Sequence, residues 1–316
     1  MSGRLTDKSV VILSFGGGQD STALLHLYRK DKAFRDKYVG PASFAAVYAA
    51  TGDEFDLTDR HVENVQKMCD AEGIPFYHLT PDKGYHHAKS QDLISWYRGT
   101  DSCGSKAYPK SCTDKLKIVP IYNFLEQWIC HTWAPMHGDS KVTEAYGRKH
   151  GLKVYARRHG RIVVMLGIAA GEEKRATGKA AKARVQPVWQ RDAIDKVYPL
   201  IDLGLDRAGC QKLIASYGEP VPFPSNCKRC PFLNDIELLF LARHYPEALE
   251  EWIDIEAKKL LRDEARGTDP TKRYGVFVKT LLPEKLKEVE AKFGHMTNQE
   301  LWDYRNSHGH CVMSSY

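Results

Sequence analysis

Short runs that are apolar at successive positions punctuate the first two thirds of the chain. Ser9–Phe15, with V-V-I-L at its centre, Phe44–Ala50, Pro75–Leu79 and Arg161–Leu166 predict strands buried on both faces. Between them apolar residues recur at helical spacing. Leu24, Leu25 and Tyr28 mark a helix starting at Ser21. Val62, Val65, Met68 and Cys69 mark another over Leu57–Cys69, and a third covers Ile118–Trp128. Strands alternating with helices predict an α/β fold with a doubly wound, mostly parallel sheet. Such sheets bind ligands beyond the carboxyl ends of their strands, so residues 15–21, 51–55 and 167–175 are expected to share one site. Past residue 232 the strand pattern ends. Ile236–His244, Pro246–Leu261, Pro283–Phe293 and Asn298–Tyr304 predict helices, with Pro246 suited to a first helical position. The expected organisation is an α/β domain over 1–232 and a small helical region over 233–316.

The turn after the first strand reads F-G-G-G-Q-D-S, Phe15 to Ser21. Glycines entering a helix let backbone N–H groups converge on an anion, and the helix N-terminus adds partial positive charge. Neither a Walker A loop nor G-x-G-x-x-G is present. A carboxylate at Asp20 suits Mg²⁺ bridging pyrophosphate oxygens better than it suits phosphate itself. Further along, Lys117 and Lys115 are candidates for an α-phosphate or an anionic substrate. Lys174 and Arg175 are candidate phosphate clamps, with Glu172 to orient them. Asp53 and Glu54 follow the second strand and are candidates for ribose or Mg²⁺. The adjacent His86 and His87 are expected on the surface.

Composition narrows the class. The chain has 316 residues, 42% hydrophobic and 27% charged, as in ordinary globular proteins. No run of some 18 apolar residues predicts a membrane span, and M-S-G-R-L-T-D-K carries no secretory signal. A cytoplasmic protein is expected. The net charge is +6, and basic residues crowd the stretch from Lys141 to Arg191, where only Glu144, Glu172 and Glu173 oppose them. That stretch, with its loop A-T-G-K-A-A-K-A-R, is either a solvated face or a phosphate-binding surface. Of eight cysteines, Cys227 and Cys230 form C-x-x-C, which points to metal or redox chemistry. Cys112 and Cys210 are the candidates to complete four thiolates, with Cys103 and Cys311 as alternates for Cys210. Such a set suits zinc or a [4Fe–4S] cluster. Cys69 and Cys130 fall within helical patterns and are expected to be buried as small hydrophobes.

Several stretches together carry a resemblance. Gly16-Gly17-Gly18-Gln19-Asp20-Ser21 resembles the S-G-G-x-D-S pyrophosphate loop of the PP-loop ATP pyrophosphatases, with Gly16 in place of the first serine and Ser14 two residues earlier. Ala50 to Thr58 and Lys110 to Pro120 resemble the D-T-G and C-x-x-x-x-K-x-x-P segments of the phosphoadenosine-phosphosulfate (PAPS) reductase branch. Gly167 to Arg175 is similar to its G-x-R-x-x-E-x-x-R segment, with Ala169 replacing the first arginine, and Tyr198 to Asp202 to its short strand after the basic loop. Pro224 to Phe232 resembles the C-x-x-C-P-F of phage and bacterial PAPS-reductase-like proteins and of DNA phosphorothioation enzymes. The resemblance covers roughly 9–235.

It implies an ATP-dependent adenylating enzyme that forms AMP and pyrophosphate. Asp20, Lys117 and Arg175 would be catalytic, and Ser14, Gly16 to Ser21, Asp53 and Gly167 would contact the nucleotide. Iron–sulfur members of the family place cysteines in these loops, which implies sulfur transfer to DNA, tRNA or a nucleotide, with a sulfur-donor protein and a homo-oligomer as possible partners. A PAPS or adenylylsulfate reductase is the alternative, although the ending H-G-H-C lacks the reductase order E-C-G-x-H. A non-catalytic, zinc-stapled nucleic-acid-binding protein is the third reading.

Overall fold

The computed structural model describes residues 5–108, 111–176 and 186–308. Five strands, β1 (Val10–Phe15), β2 (Ser43–Ala49), β3 (Phe76–Leu79), β4 (Ile162–Leu166) and β5 (Ile194–Val197), form one sheet in the order β3-β2-β1-β4-β5. Every pairing is parallel. The expected α/β doubly wound sheet is therefore observed. Successive side chains go to opposite faces, and both faces are covered. Val10, Ile12, Val47, Val164 and Ile194 pack under the helices Val119–Trp128 and His150–His159. Val11, Leu13, Phe15, Ala46, Tyr48 and Met165 pack under Gln19–Lys30, Asp56–Glu72 and Arg207–Ser216.

β5 is not where the resemblance had put a strand. Tyr198 to Asp202 forms the helical turn Pro199–Asp202, because Pro199 occupies the first helical position, where its fixed φ and missing N–H are tolerated. The strand is the preceding I-D-K-V, an edge strand with two adjacent charged residues at its centre, too short to stand out in the sequence.

The late helices are Asp235–His244, Pro246–Ala265, Leu282–Phe293 and Asn298–His308. They build a third core around Leu238, Phe240, Trp252 and Leu301. That core also takes in Phe55, Leu93, Tyr97 and Leu116, so the helical region is packed directly against the loops after β2 and β3. Among the described residues, no helix is long and apolar enough to cross a membrane.

The chain runs outward from β1 through β2 to β3, then crosses back to β4 on the other side of β1 and on to β5. The order of the sheet thus reverses at β1, and a crevice opens beyond the carboxyl ends of β1 and β4.

Candidate active site

That crevice holds a cleft of about 690 Å³, open mouth included. Its floor is the turn after β1. Gly17 has φ +71, a left-handed conformation that disfavours a side chain, and Gly18 ends the turn as the cap of the helix Gln19–Lys30. No side chain caps that helix. Its first N–H groups therefore face the cleft, together with the positive end of the helix dipole. Ser21 braces the turn: its Oγ accepts from Gly16 N at 3.0 Å and donates to Gly18 O at 3.1 Å.

The turn is wedged on two sides. A Cβ on Gly18 would lie 2.6 Å from Ser225 Oγ, so the P-S-N-C segment abuts the turn. A Cβ on Gly167 would lie 2.8 Å from Ser21 N, so the end of β4 abuts it from the other flank. The loop's position is thus set by close backbone packing as well as by its own turn.

Charge surrounds this floor. Asp20 Oδ1 is buried without a partner, and Oδ2 lies 3.5 Å from Arg207 Nη2. Burial pushes the Asp20 carboxyl above its usual range, against the lowering effect of Arg207. Arg207 also meets Glu172 Oε1 at 3.0 Å, and Glu172 pairs with Arg175 through its other oxygen. Arg175, Arg207 and Lys117 all line the cleft. An orphaned buried carboxylate oxygen among basic groups and open N–H donors fits a hydrated divalent cation carrying polyphosphate oxygens.

Next to the cleft, and sharing Thr113, Lys117 and Ser225 with it, lies a second, smaller recess of about 360 Å³, its open mouth included. Cys112, Cys227 and Cys230 line it with Tyr97 and Thr51. Lys117 sits in the π-helical turn Asp114–Ile118, a widened turn that re-aims side chains and recurs at functional sites. Burial holds the Cys227 thiol far above its usual value, with Lys117 opposing. Thr51 Oγ1 is 3.2 Å from Cys227 Sγ.

The structure brings together Ser14, Gly16, Gly18, Gln19, Asp20, Ser21, Lys117, Gly167 and Arg175 around the cleft. It departs from expectation elsewhere. Asp53 is buried, paired with Arg229, and accepts Arg229 N at 2.7 Å. Burial raises its pKa to about 6 despite Arg229. It ties the loop after β2 to the C-x-x-C segment and does not line the cleft. Glu54 turns inward to Thr51, accepting from its N at 2.9 Å and its Oγ1 at 2.7 Å. Gln19 lines the cleft, but its side chain bonds Pro222 O at 3.0 Å, Asn306 O at 3.2 Å and Gln211 Nε2 at 2.9 Å. Lys115 and Lys174 are exposed and outside the cleft lining. His86 is buried, with Nε2 2.9 Å from Ala50 O, because the segment after β3 folds back over the end of β2.

The cysteines divide. Cys69 and Cys130 are buried as expected. Cys210 faces the sheet from the helix Arg207–Ser216, one turn from Ile214, in a different core from the other three. Cys103 lies by Trp252, whose indole N–H donates to its carbonyl at 2.8 Å. Cys311 and residues 177–185 lie outside the described residues. The four-cysteine set expected from the sequence is therefore not assembled around Cys210. Among the described residues, no three His, Cys, Asp or Glu side chains converge tightly enough to hold a metal ion.

The basic stretch is partly neutralised from outside it. Arg158 faces Asp139 at 3.4 Å, Arg161 faces Asp195 at 2.9 Å, and Lys149 lies 3.6 Å from Glu126. Sequence reasoning missed Arg207, Ser225, Thr113 and Arg229. Ser225 and Arg229 stand inside or beside the C-x-x-C motif, which was the available signal. Arg207 follows a cap residue, Asp206, and has no local signature at all.

The family model of the phosphoadenosine phosphosulfate reductase domain matches residues 10–207. That span covers the whole sheet and ends at the start of the helix carrying Cys210, short of the C-x-x-C segment. No curated protein matches the chain.

Proposed function

Because the chain belongs to the phosphoadenosine phosphosulfate reductase domain family, within the PP-loop superfamily, we propose that it adenylates an acceptor with ATP and then transfers sulfur to it. The observation that carries this reading is the shared wall at Thr113, Lys117 and Ser225, which joins a polyphosphate-type cleft to a pocket of three thiols.

In the first step an acceptor oxygen attacks the α-phosphorus of ATP. The bond to the β-phosphate oxygen breaks, and pyrophosphate leaves. The open N–H groups after Gly17, with Arg175 and Arg207, would hold that pyrophosphate by fixed dipoles and charge that need no reorganisation. Asp20 would hold Mg²⁺, which when bound neutralises charge on the departing oxygens. Lys117, facing both cavities, would meet the α-phosphate. In the second step hydrosulfide attacks the acceptor carbon or phosphorus, the bond from that atom to the former acceptor oxygen breaks, AMP carries the oxygen off, and the proton on sulfur passes to solvent, with no change of oxidation state. Cys112, Cys227 and Cys230 stand on the side from which that sulfur would come. No step is routed through a cluster, since Cys210 packs in a different core from the other three thiols.

The acceptor class is a nucleic acid or nucleotide, which the basic surface of residues 141–175 supports through counterion release. A reductase that frees sulfite from PAPS is the second reading, favoured by the family description itself. Exchange of labelled pyrophosphate into ATP tests the first step, with Asp20→Asn as control. Exchange that needs Asp20, with no sulfite from PAPS, is expected. Sulfite release without ATP consumption would replace adenylation by reduction.

A further inference from the structure

Along the helix Val119–Trp128 lies an open groove of about 930 Å³, mouth included, larger than the cleft itself. Asn123 and Gln127 of that helix form its floor. One wall is Lys83 to Tyr85, which follow β3, and the other is Tyr146 to Lys149, which precede the helix His150–His159. Asn123 ties the walls together. Its Nδ2 donates to Tyr85 O at 2.9 Å, and its Oδ1 accepts from Lys149 Nζ at 2.7 Å. The helical run from the π-turn that carries Lys117 into Val119–Trp128 is unbroken, so Asn123 stands ~9 Å further along its axis than Lys117.

The groove offers positive charge and aromatic rings together. Lys83, Arg148 and Lys149 line it against Glu126 alone. Glu126 is buried and already answered, since Gly151 N donates to it at 3.2 Å and Lys149 Nζ stands 3.6 Å away. Lys153 and Arg157, one turn apart on the helix His150–His159, continue the charge beyond the groove. Among the described residues, Arg148, Lys153 and Arg157 pair with no carboxylate. Arg148 and Lys149 are held at φ +49 and +65, a left-handed backbone that side chains disfavour, and Arg148 is exposed. Tyr146 is 50% exposed, its ring steadied by an edge contact with His131 at 4.5 Å. Tyr85 packs edge-on to Phe124 at 5.4 Å, and its hydroxyl bonds Gln127. An exposed ring beside unpaired cations is a platform on which a base stacks while phosphates follow the charge. A duplex keeps its bases inside and can use the charge alone.

We propose that this groove binds a single-stranded nucleic acid, with Tyr146 as a stacking platform and Arg148 as a phosphate contact. The ~9 Å to Lys117 is about three nucleotide steps at roughly 3.4 Å each, so one strand can lie in the groove and present a neighbouring nucleotide to the cleft. The proposal rests on the reading of the acceptor as a nucleic acid, but not on adenylation. Fluorescence anisotropy of the full chain with labelled oligothymidylate and oligouridylate, over a range of salt, tests it. Both single strands are expected to bind tighter than a duplex of equal length. Tyr146→Ala should weaken that binding about fivefold to a hundredfold. Arg148→Gln should reduce the slope of log affinity against log salt by about 0.7, the share of one phosphate. Both side chains are exposed, so urea midpoints close to the wild-type value should show that the variants fold. Wild-type affinity and salt slope in both variants would overturn the groove and leave the proposed chemistry standing. Equal binding of the duplex, or displacement by polyglutamate as readily as by unlabelled oligonucleotide, would overturn the single strand as its occupant. Pyrophosphate exchange without any oligonucleotide binding would remove the nucleic-acid reading and this inference with it, and leave adenylation intact.

Discussion

Replacing Gly167 by alanine places a methyl group against the backbone of the glycine turn after β1. The new Cβ would lie 2.8 Å from Ser21 N and 3.1 Å from the Asp20 carbonyl carbon. Both neighbours are main chain, so no side chain can rotate away. Ordinary contact begins at 3.4 Å, which requires the strand end and the helix start to separate by about 0.6 Å. Gly167 does not occupy the left-handed region, so alanine costs nothing in local conformation. The penalty is steric, about 1–3 kcal/mol of stability for overpacking. The displaced atoms are those that open onto the cleft. A shift of ~1 Å in a reacting geometry costs roughly a hundredfold, so ~0.6 Å should weaken ATP and triphosphate binding about tenfold and slow pyrophosphate exchange further. Gly73→Ala is the matched control. Gly73 has φ +66 and open space around its Cβ, so alanine there costs about 1 kcal/mol in backbone strain, far from the cleft. Urea unfolding and calorimetric titration on both variants separate the two effects. Wild-type binding by Gly167→Ala, or equal loss by Gly73→Ala, would refute the claim that packing from β4 sets the turn.

Three other outcomes are expected. Arg305 is buried between the rings of Phe55 and Phe223 and pairs with Glu237 at 2.7 Å. Arg305→Met should cost ~3–5 kcal/mol by leaving that carboxylate buried and unpaired, and Arg305→Met with Glu237→Gln should recover part of it, as read by urea unfolding. His26 and His61 have pKa values lowered to about 4 by burial, from an ordinary 6.5. The unfolded chain therefore protonates at these histidines first, so their share of the stability is complete above pH 6.5 and is lost as the pH falls toward 4. Asp53 and Asp59, raised to about 6 by burial, oppose it over the same range; between pH 7.5 and pH 5 the wild type should therefore lose more stability to urea than His26→Gln with His61→Gln, and equal losses would contradict this. If the chain carries iron or zinc, anaerobic metal analysis should show it lost in Cys112→Ser and Cys227→Ser and kept in Cys210→Ser. Loss in Cys210→Ser would return that residue to the ligand set.

The sheet was legible where the chain is buried on both faces. V-V-I-L and I-V-V-M-L have no polar side to confuse, and β1 and β4 fell where expected. The edge strand I-D-K-V escaped because two adjacent charged residues within four positions break the alternation that marks a strand, and the proline after it belongs to a helix start. The glycine turn was legible because it is contiguous, with glycines, Asp20 and Ser21 in six positions. Asp53 and Cys210 were misjudged for one reason: spacing tells which residues exist but not which way they turn once packed. Asp53 is claimed by Arg229, 176 residues away, and Cys210 by the apolar underside of the sheet.

The side chain of Gln19 has a bearing on how the protein is made. Its three bonds reach across 192, 203 and 287 residues, the last to Asn306 in the final helix. On the ribosome, β1 and the glycine turn emerge early, yet the groups that hold Gln19 emerge only near the end of translation. Contacts so distant in sequence are the slowest to close. A nascent chain stalled anywhere before residue 306 carries the motif without its last fastening, and a fragment cut at residue 207 keeps every glycine of the turn but none of the three residues that hold Gln19. The fastening of Gln19 beside the glycine turn is therefore completed late, once the helix that carries Asn306 has been made.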